Sequence, residues 1–378
     1  MAQWFTDSFR AEFDRQAEVM GRFNLAIFGK TGVGKSTLLN AVFGENVAPT
    51  GIGEPVTKGS HLYLGHRGQL GIVDTQGLEV GRDDKVLLKD LDALVTQQRR
   101  KPIAEQVHVA WYCVRGMDRR FEEAEAEFIR RIDKLGLPVI VVFTQVPAQL
   151  DNGVPNYHPD AVQLARYVES LQLPIVGGRP FMTNAVRDQF TGQSVHGLID
   201  LMQATFQVAP EAVHSALAAS QQVDLGAKAR EARKAITTAA AGSAAAAASP
   251  IPFSDAAMLV PIQLGMMARI AQIYQLKFER AAMLAVASTS AATVGGRAAF
   301  TNLLKLIPGA GTVAGGAISA GVASTFTFAM GQAWLAVCQQ LIAGRLKGLD
   351  GVIDAKAVQD LFNAEFRKRV PGIRHKDS

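Results

Sequence analysis

Phe23-Asn-Leu-Ala-Ile-Phe28-Gly29-Lys-Thr-Gly-Val-Gly34-Lys35-Ser36-Thr37-Leu-Leu39 is the stretch on which the fold turns. Its apolar run, Leu25 to Phe28, reads as a buried parallel strand that breaks at Gly29. The chain then turns through a glycine-rich loop and enters a helix at Lys35 and Ser36. The spacing Gly29-x-x-x-x-Gly34-Lys35-Ser36 is that of a phosphate-binding loop. Its glycines let backbone N–H groups converge on phosphate oxygens, and the helix N-terminus adds a favourable partial charge. Gly29, Lys30, Thr31, Gly32, Val33, Gly34, Lys35, Ser36 and Thr37 are therefore the candidate nucleotide-binding segment. Lys35 suits the β- and γ-phosphates, and the Ser36 hydroxyl suits Mg²⁺.

Working outward, the 378 residues are enough for two domains, and 48% hydrophobic against 19% charged residues marks a globular chain. A formal charge of +5 is compatible with anionic ligands or a membrane surface and is weak support for nucleic acid. Cys113 and Cys338 make neither a disulfide framework nor a metal spacing, and both sit in apolar runs as buried thiols would. Upstream of the loop, Trp4, Phe5, Phe9, Phe13 and Met20 recur at helical spacing. Residues 1–21 are thus expected to form an amphipathic helix against the nucleotide-binding domain, with a membrane or partner contact as the alternative. The N-terminus lacks the basic and apolar regions of a secretory signal, so a cytoplasmic location is expected.

Downstream, Ala48 to Gly59 reads as an aperiodic loop, the place where a switch threonine would meet Mg²⁺ and the γ-phosphate. Thr57 and Thr50 are candidates, and Thr57 lies nearer the next strand. Leu70-Gly-Ile-Val-Asp74-Thr-Gln-Gly77-Leu78 is a strand that delivers Asp-x-x-Gly at its carboxyl end. Asp74 would hold Mg²⁺ through water, and the Gly77 N–H would sense the γ-phosphate. Polar residues Glu79 to Lys101 follow with helical spacing. Further strands are expected at Val107–Val114, Leu137–Phe143 and Pro180–Met182. Between them, amphipathic patterns place helices after Phe121, near Asp160–Leu171 and near Val195–Phe206, and the acids from Glu122 to Glu127 read as a solvated face. Alternating strands and helices imply an α/β, doubly wound, mainly parallel sheet over 22–210, with ligands at the strand carboxyl ends.

Residues 22 to about 206 resemble a small GTPase domain of the Era/TrmE-like class, in the same motif order. The resemblance implies GTP as ligand and substrate, Mg²⁺ held by Ser36, Thr57 and Asp74, and Lys35, Thr57 and Gly77 as the catalytic set. Asn184-Ala185 resembles the family's Ser-Ala motif, whose alanine N–H meets guanine O6. The base-reading motif departs: where the family has Asn-Lys-x-Asp, this chain has Thr144-Gln145-Val146-Pro147. Thr144 and Gln145 stay among the candidate nucleotide contacts, and ATP remains the alternative to GTP. A Ras-like glutamine after Asp-x-x-Gly is replaced by Leu78, so slow intrinsic turnover is expected, accelerated by dimerisation, a partner or an ion.

Composition shifts near Glu211, and residues 211–378 read as an all-α domain rich in alanine and glycine, helical from Val213 to Ala248. From Ala281 to Gly344 the only charged residues are Arg297 and Lys305. Gly311/Gly315 and Ala317/Gly321 are small-x-x-x-small pairs that allow close helix contact. Two readings stand: a helical hairpin that inserts in or lies on a membrane, or a soluble bundle packed through Ala/Gly faces. Pro250-Ile-Pro-Phe-Ser-Asp-Ala-Ala and Pro308-Gly-Ala-Gly resemble the uncharacterised helical domain that accompanies some bacterial Era-like GTPases and occurs in YcjF-type inner-membrane proteins. This second resemblance implies a membrane link, through a membrane lipid or membrane protein, and names no activity; GTP/GDP as ligands follow from the first resemblance, and a nucleotide-dependent second copy from the expected slow turnover. RNA or a ribosome, familiar from Era relatives, is the competing partner, and a nucleotide-binding scaffold with little hydrolysis is the third reading, supported by Leu78 and Thr144-Gln145-Val146-Pro147.

Overall fold

The computed structural model describes residues 2–44, 54–57, 60–65, 68–74, 92–93, 95–97, 99–152, 154–190, 192–248, 255–289, 320–346 and 353–369. Outside them lie Thr50, Gly77, Leu78, the small-residue pairs at Gly311, Gly315 and Ala317, and the proline motifs at Pro250 and Pro308. The chain divides into two compact units, Met20–Leu225 and Met1–Val19 with Gly226–Ser378.

The chain opens with α1 (Ala2–Met20) and enters the first of these units through β1 (Phe23–Phe28), α2 (Lys35–Phe43), β2 (Glu54–Thr57), β3 (Ser60–Leu64) and β4 (Leu70–Asp74). It continues with β5 (Val109–Arg115), α3 (Glu123–Lys134), β6 (Val139–Thr144), β7 (Ala148–Asp151), β8 (Val154–Tyr157), α4 (Pro159–Ser170), β9 (Phe181–Met182), α5 (Leu198–Val208) and α6 (His214–Ser220). The main sheet has the order β2-β3-β4-β1-β5-β6-β9. β1 lies parallel between β4 and β5, and β6 and β9 extend the parallel part. β2 and β3 form an antiparallel edge.

Every residue of β1 is buried, as a strand covered on both faces requires. Phe28, Tyr112 and Val114 pack with Phe128, Ile129 and Ile132 of α3 and Leu164 and Val168 of α4. On the other face Trp111 stacks on Phe43 of α2 at 5.8 Å and donates from its indole N–H to Thr205 Oγ1 of α5 at 3.1 Å. Helices on both faces of a mainly parallel sheet are the doubly wound architecture that the alternation of patterns implies.

Three local expectations change. Part of the expected Ala48–Gly59 loop is β2, paired with β3, so Thr57 ends a strand opposite Ser60. The stretch after Pro147, whose polar sequence reads as a loop, is a β7–β8 hairpin in which Asp151 opposes Val154, and Asn152 has φ 50°. Asn-Gly at positions 152 and 153 is the two-residue turn pair that signals it. The α/β unit also runs past the composition shift at Glu211: Gln222 N donates to Val42 O at 2.9 Å, and Gln221 Oε1 accepts from Val223 N and Asp224 N at 2.8 and 2.7 Å. That side-chain turn breaks the expected Val213–Ala248 helix in two.

The helical unit contains α7 (Leu225–Ala247), α8 (Asp255–Ile273), α9 (Phe278–Thr289), α10 (Ala320–Ile342) and α11 (Ala355–Arg367). Pro261 lies inside α8. α1 belongs here, which corrects its expected seat on the nucleotide-binding domain. The Phe9 and Phe13 rings meet Phe278 at 6.2 and 5.7 Å, the Arg10 guanidinium lies 3.8 Å over the same ring, and the Gln272 amide donates to Phe13 O. The aromatic stripe is a real buried face, and its partner, Phe278, lies in a distant part of the chain, beyond the reach of local periodicity.

Candidate functional site: the phosphate loop and its neighbours

The loop between β1 and α2 is shaped by glycine. Gly29 has φ 130°, and a β-carbon there would overlap the Cys113 carbonyl oxygen of β5. The neighbouring strand therefore excludes any side chain at this position. Gly34 has φ 93° and caps α2 without a side-chain acceptor, so the first amide N–H groups of the helix are left directed into the loop. Thr31, Gly32, Ser36 and Thr37 are exposed, whereas Val33 is buried. The Lys35 ammonium donates to Gly29 O at 2.7 Å and Lys30 O at 3.0 Å. These bonds hold a positive charge over the loop, where a polyphosphate would lie.

Two neighbours brace the loop. Thr144, at the carboxyl end of β6, is 3% exposed, and its hydroxyl donates to Val33 O, with Val114 O as a longer acceptor at 3.3 Å. Thr144 thus holds the loop to the strand end. Gln145 follows with φ 53°, and its exposed amide lies 3.5 Å from Gly32 O and 3.1 Å from where a Gly34 β-carbon would fall. Sequence reasoning placed both residues at the base; the geometry lays them along the phosphate loop.

Thr144→Val should separate these roles. Removing the hydroxyl leaves the buried Val33 carbonyl without its donor, at a cost of about 1–3 kcal/mol. Thermal unfolding should report that loss, nucleotide affinity should fall about tenfold through a looser loop, and Thr144→Ser should restore both. Unchanged affinity in the valine variant would exclude the bracing role.

On the other side, the Lys30 ammonium pairs with Glu122 at 3.1 Å and with the buried Glu125 at 3.8 Å. Glu125 accepts from the Tyr112 hydroxyl at 3.2 Å and from Glu122 N at 2.8 Å, closing a capping box at the start of α3. Burial is the main cause that raises the Glu125 carboxyl above the usual range. This corrects the reading of these acids as a solvated face: Glu123 and Glu127 are exposed, but Glu125 ties α3 to the loop. The sequence signal was faint, since glutamate is an uncommon N-cap. Burial pushes the nearby Cys113 thiol up to about 12, which leaves it inert.

The backbone register sets Asp74 beside Ile27, the penultimate residue of β1, at the same sheet end as the loop. Its side chain and that of Thr57 lie outside the description. Asn184 and Ala185 follow β9, next to β6: Thr183 N donates to Phe143 O at 2.7 Å, and Val146 N to Thr183 O at 3.0 Å. The Asn184 amide is committed to its own loop, donating to Val186 O at 2.7 Å and Ser194 O at 2.9 Å. The structure therefore gathers the phosphate loop, Thr144 and Gln145 in contact, with Asp74 and Ala185 at adjoining strand ends.

Residues 24–145 match the family model described as 50S ribosome-binding GTPase. Residues 214–361 match the model of a domain of unknown function (DUF697). No curated protein matches the chain. Among solved structures, a variant of Aquifex aeolicus Era bound to GDP and AlF4⁻ is 21% identical, over 50% of this chain and 58% of its own, with a TM-score of 0.32. A probable GTP-binding protein engB is 20% identical over 49% of this chain and 97% of its own, with a TM-score of 0.33. Toc33 from Arabidopsis thaliana is 16% identical over 55% of this chain and 91% of its own, with a TM-score of 0.34. All three scores are low, and the assignment rests on the two family models. The chain carries a P-loop GTPase domain of the first family and, after it, a DUF697 domain.

Proposed function

We propose that the chain is a Mg²⁺-dependent GTP-binding switch with slow intrinsic hydrolysis, whose nucleotide state controls the helical domain at a membrane or on a partner protein. The observation that carries this reading is the phosphate loop, with the Lys35 ammonium held over the Gly29 and Lys30 carbonyls. Ser36 in the first turn of α2 and Asp74 at the neighbouring strand end are hard oxygen donors of the kind Mg²⁺ takes, and Thr57 would complete the set. When bound, the ion would neutralise charge on the β- and γ-phosphates. Lys35 would then bind the phosphates, the Gly77 N–H would sense the γ-phosphate, and the Ala185 N–H would meet guanine O6. Leu78 in place of a water-orienting glutamine supports slow turnover, with a second copy or a partner as accelerator. A cytoplasmic protein bound reversibly at the inner membrane fits this reading.

A ribosome-associated assembly GTPase is the second reading, favoured by the description of the family that residues 24–145 match. Purified protein should bind GTP more tightly than ATP in the presence of Mg²⁺, and EDTA should abolish most of the binding. Equal affinity for both nucleotides would remove the preference for GTP. Nucleotide-dependent sedimentation with anionic vesicles favours the switch at a membrane, whereas salt-sensitive sedimentation with ribosomes favours the second reading.

A further inference from the structure

Guanine differs from hypoxanthine by one group, the 2-amino substituent. A site that reads it needs an acceptor facing the N1–H and N2–H donors, and a carboxylate supplies two oxygens for them. The base of a bound nucleotide would lie where β6 and β9 end, beside the phosphate loop.

Neither segment there carries a carboxylate: residues 144–150 are Thr-Gln-Val-Pro-Ala-Gln-Leu and residues 180–187 are Pro-Phe-Met-Thr-Asn-Ala-Val-Arg. Asp151 stands three residues up the β7 strand, roughly 10 Å from Ala148 at ~3.3 Å per residue. Asp188 accepts from Phe190 N at 2.9 Å, within its own turn.

Four backbone carbonyls there each already accept a hydrogen bond from the protein. Thr183 O accepts from Val146 N at 3.0 Å, Pro147 O from His158 N at 2.9 Å and Asn184 O from His196 N at 3.1 Å. Val146 O receives the His196 Nε2–H at 2.9 Å. The other ring nitrogen, His196 Nδ1, has no partner among the described residues, but it is sealed from solvent in a ring that packs on Tyr157 at 5.5 Å. The Gln145 amide is laid along the phosphate loop.

We propose that this site takes 6-oxopurine triphosphates as a class, guanosine and inosine triphosphate alike, because among the described residues no carboxylate stands at its base end to pair with the N1–H and 2-amino donors. The inference rests on the proposed preference for GTP over ATP and narrows what produces it: the 6-oxo group and not the 2-amino edge.

Competition of GTP, ITP and ATP against a fluorescent GTP analogue on the full chain with Mg²⁺ tests this directly. GTP and ITP should bind within threefold of each other. A native site that binds ITP tenfold or more weakly than GTP overturns the inference while leaving GTP as the ligand. Failure of all three to bind overturns the GTP reading and this inference together. Pro147→Asp places a carboxylate at the strand end and should create a preference for GTP over ITP of about tenfold. An unchanged ratio in a folded, GTP-binding variant would overturn the placing of the base at the end of β6, and with it the argument from the residues there.

Discussion

Lys35→Ala is expected to weaken binding of Mg²⁺–GTP by a hundredfold or more and to bring turnover to background, with the fold intact. The ammonium is the one side-chain cation that the loop holds on its own carbonyls among the described residues. Charge-assisted hydrogen bonds contribute about 1.5–3 kcal/mol each, and two of them to phosphate oxygens amount to about two to four powers of ten in affinity. Stability should respond far less. The carbonyls that Lys35 covers lie on a loop whose neighbours Thr31 and Gly32 are exposed, so water replaces the lost donor. The backbone constraint sits elsewhere, in Gly29 against Cys113 and in the Thr144 brace. Lys35→Arg should not rescue, because a planar fork cannot take the place of a compact ammonium within this turn. Calorimetric titration with GTP and a thermal melt decide it. Binding within tenfold of native in the alanine variant would remove Lys35 from the phosphate site.

The same loop marks how far sequence alone reaches. Glycine spacing, buried strands and amphipathic helices are local, so the doubly wound sheet and the stretch Gly29–Thr37 could be read residue by residue. What could not be read depends on distant partners. Thr144 looked like a degraded base contact because its acceptor, Val33 O, lies more than a hundred residues upstream. Glu125 reads as solvated because charge periodicity does not reveal its two distant partners, the buried Tyr112 hydroxyl and the half-exposed Lys30 ammonium of the phosphate loop. The partner of α1 is hidden for the same reason: an aromatic stripe states that a face is buried, not against what, and here it is Phe278. The β7–β8 hairpin is a different case, since its Asn-Gly turn pair is local and is outweighed only by the polarity of its flanks.

α10 offers the second large effect. It is long and apolar enough to cross a membrane, yet 61% of its most apolar stretch is buried within the protein. A β-carbon added to Gly331 would stand 2.7 Å from Ile236 of α7 and from Met266 of α8, so the three helices touch closely. Thr327 receives the Gln263 amide at 3.0 Å and donates to Ser243 Oγ at 2.8 Å, a polar contact that sets the register of those helices. Phe366 of α11 meets Phe326 at 5.5 Å. At the centre, Trp334 is fully buried and its indole N–H donates to Met267 O at 2.9 Å. Trp334→Ala should therefore destabilise the helical unit by about 3–5 kcal/mol in detergent-free buffer. Trp334→Phe should cost less, since it keeps most of the volume and loses the hydrogen bond. Phe328, 40% exposed on the same helix, is the control: its alanine variant should change stability by less than about 1 kcal/mol. Urea unfolding followed by far-UV circular dichroism reads all three. If Trp334→Ala instead behaves like Phe328→Ala in buffer, and vesicles blue-shift fluorescence in a chain whose sole tryptophan is Trp334, then α10 spends its apolar surface on lipid and the bundle packing is not its resting state.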